Sequence, residues 1–319
     1  MAHMQNPIRK YWKQYKWSNI FEMIKNNKKK PVICNDSFKD KLVVITGATS
    51  GIGYYTARKY ASKGARILTI NRNEDKSRTL CNEILRDFNV PCNYILADLS
   101  LLDAMHRVGD ELARLSEPIA VLIHNAGVFL KKRTMTVDGL ETTFAVHYLA
   151  PFVINYKLKE KLCRDKGCRI IFVSSEGYRF AAWGLHLDDL QFETHTYSGL
   201  KAYGSAKLAQ LLSMHRFSEF YKDYNVTVNA MHPGMVKSNT GHENDFLYKL
   251  FKRSVIDTAS QSAEISAEAL YYLGVSPEVD HVTDTFFNLT TPEELAPPAR
   301  DLDVVPELWD MSMKLGQLE

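Results

Sequence analysis

The amino-acid sequence predicts an α/β fold, a doubly wound parallel sheet of about seven strands with helices on both faces. From residue 41 onward, short runs of β-branched residues alternate with segments of helical period. The runs are apolar throughout, as strands are when both faces of a sheet are covered. We find no repeat, low-complexity tract or linker. We therefore expect residues 41–319 to form one domain, preceded by an N-terminal extension over residues 1–40.

The apolar runs give the predicted strands in chain order. They cover residues 42–46, 66–71, 93–99, 120–127, 169–175, 226–233 and 284–289. Helical period is clearest over residues 100–115, 140–162 and 202–220. Because parallel strands need long crossover connections, the intervening helices fit a parallel sheet.

The composition excludes several classes of function. A formal net charge of +3 and a pI near 8.4 are too mild to predict nucleic-acid binding, and basic runs are not interleaved with aromatics outside the N-terminus. The cysteines are scattered and form no CxxC pair, so we expect neither a disulfide framework nor a metal site. They are Cys34, Cys81, Cys92, Cys163 and Cys168. A reducing compartment fits this usage best.

The N-terminal extension is basic and amphipathic, whereas the rest of the chain is not. No apolar run reaches 18 residues and no signal-peptide pattern is present, so we predict a cytoplasmic location. In the extension, apolar residues recur at approximately helical intervals: Ile8, Tyr11, Trp12, Tyr15, Ile20, Phe21 and Ile24. Such a helix can lie peripherally on an anionic membrane, or it can pack on its own domain or on a partner. Packing is the favoured interpretation.

The stretch TGATSGIG, residues 46–53, follows the first predicted strand and opens a helix. Its glycines let the backbone turn sharply and approach a pyrophosphate, which the amides of the helix N-terminus stabilise. A tight structural turn is the alternative, but the position at the first strand-helix junction favours dinucleotide binding. The predicted contacts are Gly47, Thr49, Ser50, Gly51, Ile52 and Gly53.

The ends of the second and third strands bear on the choice of cofactor. Asn71 fills the position where a carboxylate would bind an adenosine ribose diol, and Arg72 follows it. A guanidinium would bind a 2′-phosphate that an acid would repel, so NADP(H) is preferred and NAD(H) stays open. Arg72 could equally be a solvated strand-end residue. Asp98 could accept from the adenine amino group or cap the next helix, and Leu99 follows it.

The stretch TYSGLKAYGSAKLA, residues 196–209, holds two overlapping pairs with a tyrosine four residues before a lysine. Residues at this spacing share a helix face, so an ammonium group beside a phenol can lower the pKa of that phenol. The pairs are Tyr197 with Lys201 and Tyr203 with Lys207. Gly199, a poor interior helix residue, lies inside the first pair, whereas an apolar-periodic helix follows the second. We therefore favour Tyr203 and Lys207.

Taken in order, these motifs resemble the short-chain dehydrogenase/reductase family, which has a Rossmann-type fold. The shared motifs are TGxxxGxG at residues 46–53, Asp98-Leu99, Asn125-Ala126-Gly127, a serine after the fifth strand, YxxxK and Pro233-Gly234. The tail of the chain and the long spacing between the serine and the tyrosine look most like the retinol-dehydrogenase-like branch. The resemblance covers the chain from about residue 41 to its end.

The resemblance implies a catalytic group. Tyr203 would donate a proton to the reacting oxygen, Ser175 would donate a hydrogen bond to it, and Lys207 would support Tyr203 and bind the nicotinamide ribose. Ser175 is preferred over Ser174 because the second serine of such a pair usually has the role. His147 stands where the family has an asparagine that holds a proton-relay water. In a kinked helix it would keep its backbone carbonyl exposed for that water and its ring would join the relay, or it would have no role.

Further cofactor contacts follow from the same resemblance. They are Asn125, Ala126, Gly127, Pro233, Gly234, Val236 and Ser238. His124 replaces an asparagine of the NNAG pattern and is interpreted as a tolerated change beside the cofactor. Residues 242–255 match the family's substrate lid, and Phe180, Trp183 and Leu185 are candidates for one pocket wall.

The sequence thus predicts an NADP(H)-dependent oxidoreductase that interconverts a small apolar carbonyl compound and its alcohol. Two alternatives stay open. One is an NAD-linked alcohol dehydrogenase, and the other is a cofactor-binding sensor or scaffold protein with little or no turnover. A homodimer through residues 140–162 and 202–220 is a further expectation from the family.

Overall fold

A computed structural model describes residues 7–27, 29–165, 167–234 and 263–318. These residues form one eight-stranded sheet with the order β3-β2-β1-β4-β5-β6-β7-β8. The strands are β1 Leu42–Thr46, β2 Arg66–Asn71, β3 Cys92–Leu96, β4 Ile119–His124, β5 Cys168–Val173, β6 Val226–His232, β7 Phe286–Asn288 and β8 Thr291–Pro292. All neighbours are parallel except β7 and β8. The predicted fold class is confirmed, and the two-residue β8 is an addition to it.

The described helices cover both faces of this sheet. They are α1 Pro7–Trp12, α2 Trp17–Asn26, α3 Gly51–Ala61, α4 Glu74–Phe88, α5 Leu102–Ala113, α6 Thr142–Phe144, α7 Ala150–Asp165, α8 Gly199–Phe220, α9 Ala263–Val275 and α10 Val305–Leu315. A π-helical turn, Ala145–Leu149, joins α6 to α7, and a 3-10 turn, Glu176–Ala181, follows β5. Helices α5, α7, α8 and α10 share one apolar core, and α3, α4 and α9 share the other.

Several predicted boundaries were wrong by two or three residues. β3 ends at Leu96, β4 at His124 and β5 at Val173, so the predicted strands ran too far. The residues beyond these ends lie in the turns at the carboxyl edge of the sheet. Helix α8 begins at Gly199, because the Ser198 hydroxyl accepts a hydrogen bond from the Lys201 N–H at 3.2 Å.

The sheet reverses its winding direction at β1. This strand pairs with β2 on one side and with β4 on the other, so the crossover connections diverge there. In open α/β sheets, the crevice outside the carboxyl ends of such strands is the usual place for a ligand. The predicted site residues fall at this edge.

The N-terminal extension packs against its own chain. The Tyr11 hydroxyl donates to the Asp301 carboxylate at 2.5 Å, and the Tyr15 hydroxyl donates to the Ala182 carbonyl at 2.7 Å. The favoured sequence interpretation therefore agrees with the observed contacts. Among the described helices, each is too short or too polar to cross a bilayer.

Helix α10 lies across α7 and α8. The Trp309 ring lies 4.8 Å from the Phe152 ring and 5.1 Å from the Phe217 ring, measured between centroids. The Tyr148 hydroxyl bonds the Ser312 hydroxyl at 2.6 Å. The homodimer stays a prediction, and pairing through this part of α7 and α8 would have to displace α10.

Candidate active site

The glycine-rich turn between β1 and α3 packs directly on the end of β4. Gly47 has a φ of +70°, and a Cβ there would lie 2.8 Å from the Ala126 Cα. A Cβ at Gly53 would lie 2.3 Å from the Gly47 carbonyl oxygen. Glycine is therefore required at both positions. The turn places the N-terminus of α3 at the crevice. The first N–H groups of α3 have no acceptor within the helix, so they suit an anion.

Side chains from three strands hold the turn in place. The Thr46 hydroxyl accepts from the backbone N–H of Asn125 at 3.0 Å and of Ala126 at 2.9 Å. The Asn125 amide donates to the Gly47 carbonyl at 2.8 Å, and the Asn71 amide oxygen accepts from the Ala48 N–H at 2.8 Å. Thr46 was not among the predicted site residues, although it is the first letter of the TGxxxGxG pattern.

The remaining predicted nucleotide contacts line the same edge. Asn71 is buried and its amide is used within the turn, whereas Arg72 is exposed. One carboxylate oxygen of Asp98 accepts from the Ser100 N–H at 3.0 Å, and Leu99 is buried. Thr49, Ser50, Gly51 and Ile52 are half-buried or exposed around the start of α3. The cradle fits a dinucleotide, and Arg72 follows β2 at the same edge.

Lys207 is buried near the ends of β5 and β6. Its Nζ donates to the Val173 carbonyl at 2.7 Å and to the Gln210 amide oxygen at 3.4 Å. Burial lowers the pKa of Lys207 to about 7. The Nζ atom lies 5.9 Å from the centroid of the Tyr203 ring, on the same helix one turn earlier.

Tyr203 and Ser175 meet at the mouth of the crevice. Burial raises the pKa of Tyr203, and a hydrogen bond with Ser175 opposes that rise. The lowered tyrosine pKa that the sequence led us to expect is therefore not produced by the protein groups alone. The Ser175 hydroxyl accepts from the Gly177 N–H at 3.0 Å, whereas Ser174 is buried.

His147 lies in the π-helical turn, and its carbonyl faces Gln210. Pro151, four residues later, has no N–H, so the usual helical donor to this carbonyl is missing. The Gln210 amide supplies a donor at 3.0 Å. Gln210 thus bridges Lys207 and the His147 carbonyl. Gln210 was not predicted from the sequence, where its only signal was a polar side chain on an otherwise apolar part of α8.

The imidazole of His147 is fixed by the loop after β4. Its Nε2 lies 2.7 Å from the Val128 carbonyl oxygen and 3.0 Å from the Val128 nitrogen. Burial, with the nearby charge of Lys207, lowers the pKa of His147 to about 3. A Cβ on Gly127 would lie 2.5 Å from the ring, which explains glycine there. The ring is neutral at ordinary pH and packs at 5.2 Å from the Tyr203 ring.

The other tyrosine-lysine pair is not at this site. The Tyr197 hydroxyl bonds the Leu130 carbonyl and the Glu141 carboxylate, each at 3.2 Å. Lys201 is exposed in the first turn of α8. Tyr197 anchors the loop that leads into α8, which is a structural role.

Two aromatic residues lie beside Tyr203 or beside the residue that follows it. The Phe129 ring meets the Tyr203 ring edge-on at 6.1 Å, and Phe180 packs on Gly204, where a Cβ would lie 2.8 Å from the Phe180 Cβ. Trp183 instead packs on Tyr15 at 6.1 Å. Leu185, the third candidate from the sequence, packs against the core that contains α7 and α8. Phe180 is thus the predicted wall residue that adjoins Tyr203, and Phe129 was missed.

A buried acidic pair lies behind Ser175 and was also missed. Arg179 bridges the carboxylates of Glu176 and Glu293. Burial raises the pKa of Glu176 to about 8, with Arg179 opposing the rise and Glu293 adding to it. His232, whose Nδ1 accepts from the Glu176 N–H at 3.4 Å, is buried too. A single cation between two buried carboxyl groups favours one shared proton.

The remaining predicted residues have different outcomes. Gly234 has a φ of +76°, and the Ser266 hydroxyl donates to the Pro233 carbonyl at 2.6 Å, next to the end of β6. Val236, Ser238 and the predicted lid over residues 242–255 lie outside the described residues. His124 is buried with its Nε2 at 2.8 Å from the Asn155 amide oxygen, so its ring points towards α7. Within the described ranges, His, Cys, Asp and Glu form no group of three suited to a metal ion.

Known proteins share both the sequence and the fold of this chain. A family model described as short chain dehydrogenase matches residues 41–184. Human retinol dehydrogenase 13 is 31% identical over 284 residues, which cover 88% of this chain and 85% of the relative. Human WW domain-containing oxidoreductase is 30% identical over 286 residues, which cover 88% of this chain and 69% of the relative. A solved structure from Mycobacterium paratuberculosis has a TM-score of 0.70 at 26% identity, covering 88% and 95% of the two chains.

Proposed function

Because this chain belongs to the short-chain dehydrogenase/reductase family, we propose that it is an NADP(H)-dependent oxidoreductase that interconverts an apolar carbonyl compound and its alcohol. The observation that carries the proposal is the meeting of Tyr203, Ser175 and Lys207 beside the glycine-rich turn. The cofactor, when bound, supplies or accepts the hydride.

In the reducing direction, charge develops on the carbonyl oxygen of the substrate. The Tyr203 hydroxyl gives its proton to that oxygen, and Ser175 donates a hydrogen bond to it. Burial works against ionised Tyr203, so the phenolate must be stabilised after the transfer. Lys207 is the nearby cation for this task. With a pKa of about 7, it can also gain or lose a proton near neutral pH and so restore the proton of Tyr203.

Gln210 and His147 keep Lys207 in position. The Gln210 amide bonds Lys207 at one end and the His147 carbonyl at the other. The imidazole, with its pKa near 3, stays neutral at pH 7, and its Nε2 is engaged with Val128. We therefore assign His147 to positioning through its backbone and its packing on Tyr203. This assignment gives the imidazole of His147 no direct part in the proton relay, although the sequence left that part open.

The preference for NADP(H) rests on Arg72. Its exposed guanidinium follows β2, at the edge where the adenosine ribose would lie. Asn71, by contrast, is committed to the Ala48 N–H and carries no charge that would repel a phosphate. NAD(H) stays the alternative cofactor. The cytoplasmic location predicted from the sequence belongs to the same proposal.

The apolar substrate class rests on the walls beside Tyr203. Phe129 meets the phenol edge-on, Phe180 packs on the neighbouring Gly204, and the Gly177 backbone lies against the phenol, since a Cβ there would lie 2.6 Å from the Tyr203 Cε1. These three residues offer an uncharged surface, which suits an apolar substrate better than an ionic one. By analogy, the similarity to human retinol dehydrogenase 13, at 31% identity, supports an apolar alcohol or aldehyde as the substrate.

Absorbance assays with NADPH and NADH test the proposal, using a panel of apolar aldehydes and ketones beside a binding titration of each cofactor. We expect turnover with NADPH and tighter binding of NADPH than of NADH. Tight NADPH binding without turnover on any carbonyl would favour the sensor or scaffold alternative. A failure to bind either cofactor would refute the dinucleotide site itself.

A further inference from the structure

Helix α2 turns its polar side towards the protein. The Asn19 amide oxygen accepts from the Arg179 guanidinium at 2.7 Å, and its NH2 donates to the Glu294 carbonyl at 3.0 Å. Two helical turns later, the Asn26 NH2 donates to the Glu293 carboxylate at 2.9 Å. Both asparagines are buried. Among the described side chains of α2, hydrogen bonds from Asn19 and Asn26 hold the helix on the protein.

The outward side of the same helix is apolar. Trp17, Phe21 and Ile24 recur at the i, i+4 and i+7 positions of one face and are 77%, 67% and 46% exposed. Trp12, at the end of α1, is 69% exposed. A helix on the surface of a globular protein normally shows the reverse polarity. Four large apolar side chains on one short segment mark an interaction surface.

Positive charge surrounds these side chains. Exposed lysines lie between α1 and α2, in the last turn of α2 and after it: Lys13, Lys16, Lys25, Lys29 and Lys30. Over the first 35 residues of the sequence, Glu22 is the sole acid. Lysines are attracted to anionic headgroups, and tryptophan and phenylalanine favour the zone between headgroups and acyl chains.

We propose that the N-terminal face, defined as Trp12, Trp17, Phe21 and Ile24, docks peripherally on a bilayer that contains anionic phospholipid. A 10-residue helix such as α2 rises only about 15 Å, half of a bilayer core, so it lies in the interface instead of spanning it. A second copy of the chain fits the face less well. A two-fold contact there would bring each lysine cluster up to its symmetry mate.

Docking would bring the bilayer close to the segment that follows Ser175. Tyr15, between α1 and α2, bonds the Ala182 carbonyl and packs on the half-exposed Trp183. Phe180, beside Tyr203, lies in the turn just before these residues. If the proposed function holds, an apolar substrate dissolved in the bilayer would have a short path to the site. The docking itself does not depend on that function.

Co-sedimentation of the full chain with vesicles tests the proposal. The vesicles are phosphatidylcholine alone and phosphatidylcholine mixed with phosphatidylglycerol. We expect binding to the mixed vesicles at least about tenfold tighter than to the neutral ones, and weakening as salt rises from about 0.1 M to about 0.5 M. The double variant Trp17→Ser with Phe21→Ser should lose at least about tenfold in binding.

The matched control removes exposed apolar side chains elsewhere. Val137→Ser with Leu302→Ser alters residues that are 89% and 56% exposed and should leave vesicle binding unchanged. If the aromatic double variant fails to fold, Lys13→Gln, Lys16→Gln and Lys25→Gln together provide the second test. They should abolish the preference for the anionic vesicles.

Two results would overturn the proposal. One is the absence of binding to either vesicle type, or equal binding by wild type and the aromatic double variant. The other is a dimer in sedimentation velocity that this variant dissociates, with no vesicle binding by the wild type. That second result would assign the N-terminal face to another copy of the chain.

Discussion

Glu176 is predicted to be protonated in the folded protein, and Glu176→Gln exposes this through the pH dependence of stability. Glu176 and Glu293 share the cation Arg179 in a buried cluster, and Glu293 also accepts from the Asn26 amide. Among the residues that the structure describes, no group donates a hydrogen bond to the buried Oε1 of either carboxyl, so a proton shared between the two groups would satisfy both. Glutamine mimics the protonated form but cannot ionise in the unfolded chain.

The magnitude follows from the pKa of Glu176, which burial raises from 4.5 to about 8. A raised folded-state pKa favours folding below the unfolded pKa, and this advantage is lost as the pH rises towards 8. Relative to acidic pH, the free energy of unfolding is therefore lower by about 1 kcal/mol at pH 5 and by about 3 kcal/mol at pH 7. Glu176→Gln removes this loss, so its stability gain over wild type should grow by about 2 kcal/mol between these pH values.

Urea unfolding at pH 5 and pH 7 measures this difference. The control is Glu307→Gln, an exposed carboxylate in the first turn of α10, which should change the free energy of unfolding by less than about 0.5 kcal/mol at both pH values. Because the native Glu176 carboxyl is already neutral, the variant should also keep most of its turnover. An equal effect of Glu176→Gln at the two pH values would refute the shared proton.

Three further predictions concern the phenol, the cofactor edge and the buried His124. Gly177→Ala places a Cβ 2.6 Å from the Tyr203 ring. We therefore expect kcat to fall at least about tenfold and the free energy of unfolding to fall by about 1–3 kcal/mol. An unchanged kcat would contradict this packing. Arg72→Glu should shift the ratio of NADPH to NADH dissociation constants at least about tenfold towards NADH, and an unchanged ratio in titrations would remove the argument for NADP(H). Burial lowers the pKa of His124 to about 4, so the folded state binds fewer protons and loses stability as the pH falls below about 6.5. The loss between pH 7 and pH 5 should be about 2 kcal/mol smaller in His124→Asn than in wild type, and the same loss in both would show that His124 is not held neutral.

The fold could be predicted because its signals are local. Most strands of the parallel sheet are apolar runs, and the turn after β1 carries its own glycines, Gly47 and Gly53. The short β8 escaped prediction, because a two-residue strand containing Pro292 has no periodicity to detect. The start of α8 was misplaced, because Gly199 was judged as an interior helix residue although Ser198 caps the helix just before it.

Site residues could be predicted where they belong to a short sequence motif. They were harder to predict where their role depends on contacts between distant segments. The sequence favours one of the two tyrosine-lysine pairs because the apolar-periodic helix after Tyr203 is a local feature, and the role of Tyr203 stays a prediction. It could not show that Gln210 bridges Lys207 to the His147 carbonyl, because that contact joins residues 63 positions apart. The inverted polarity of α2 was equally hidden, since periodicity reveals an apolar face but not the side that it points to.

The central claim is that Tyr203 is the proton donor. The most direct measurement compares kcat for Tyr203→Phe and Tyr197→Phe with the best carbonyl substrate of the wild type, beside a titration of NADPH binding. We expect Tyr203→Phe to lose at least about a hundredfold in kcat and to keep NADPH binding, because only the hydroxyl is removed. Tyr197→Phe should stay within about threefold of wild type, since that hydroxyl bonds Leu130 and Glu141 away from the site. Equal losses in the two variants, or full turnover by Tyr203→Phe, would contradict the assignment.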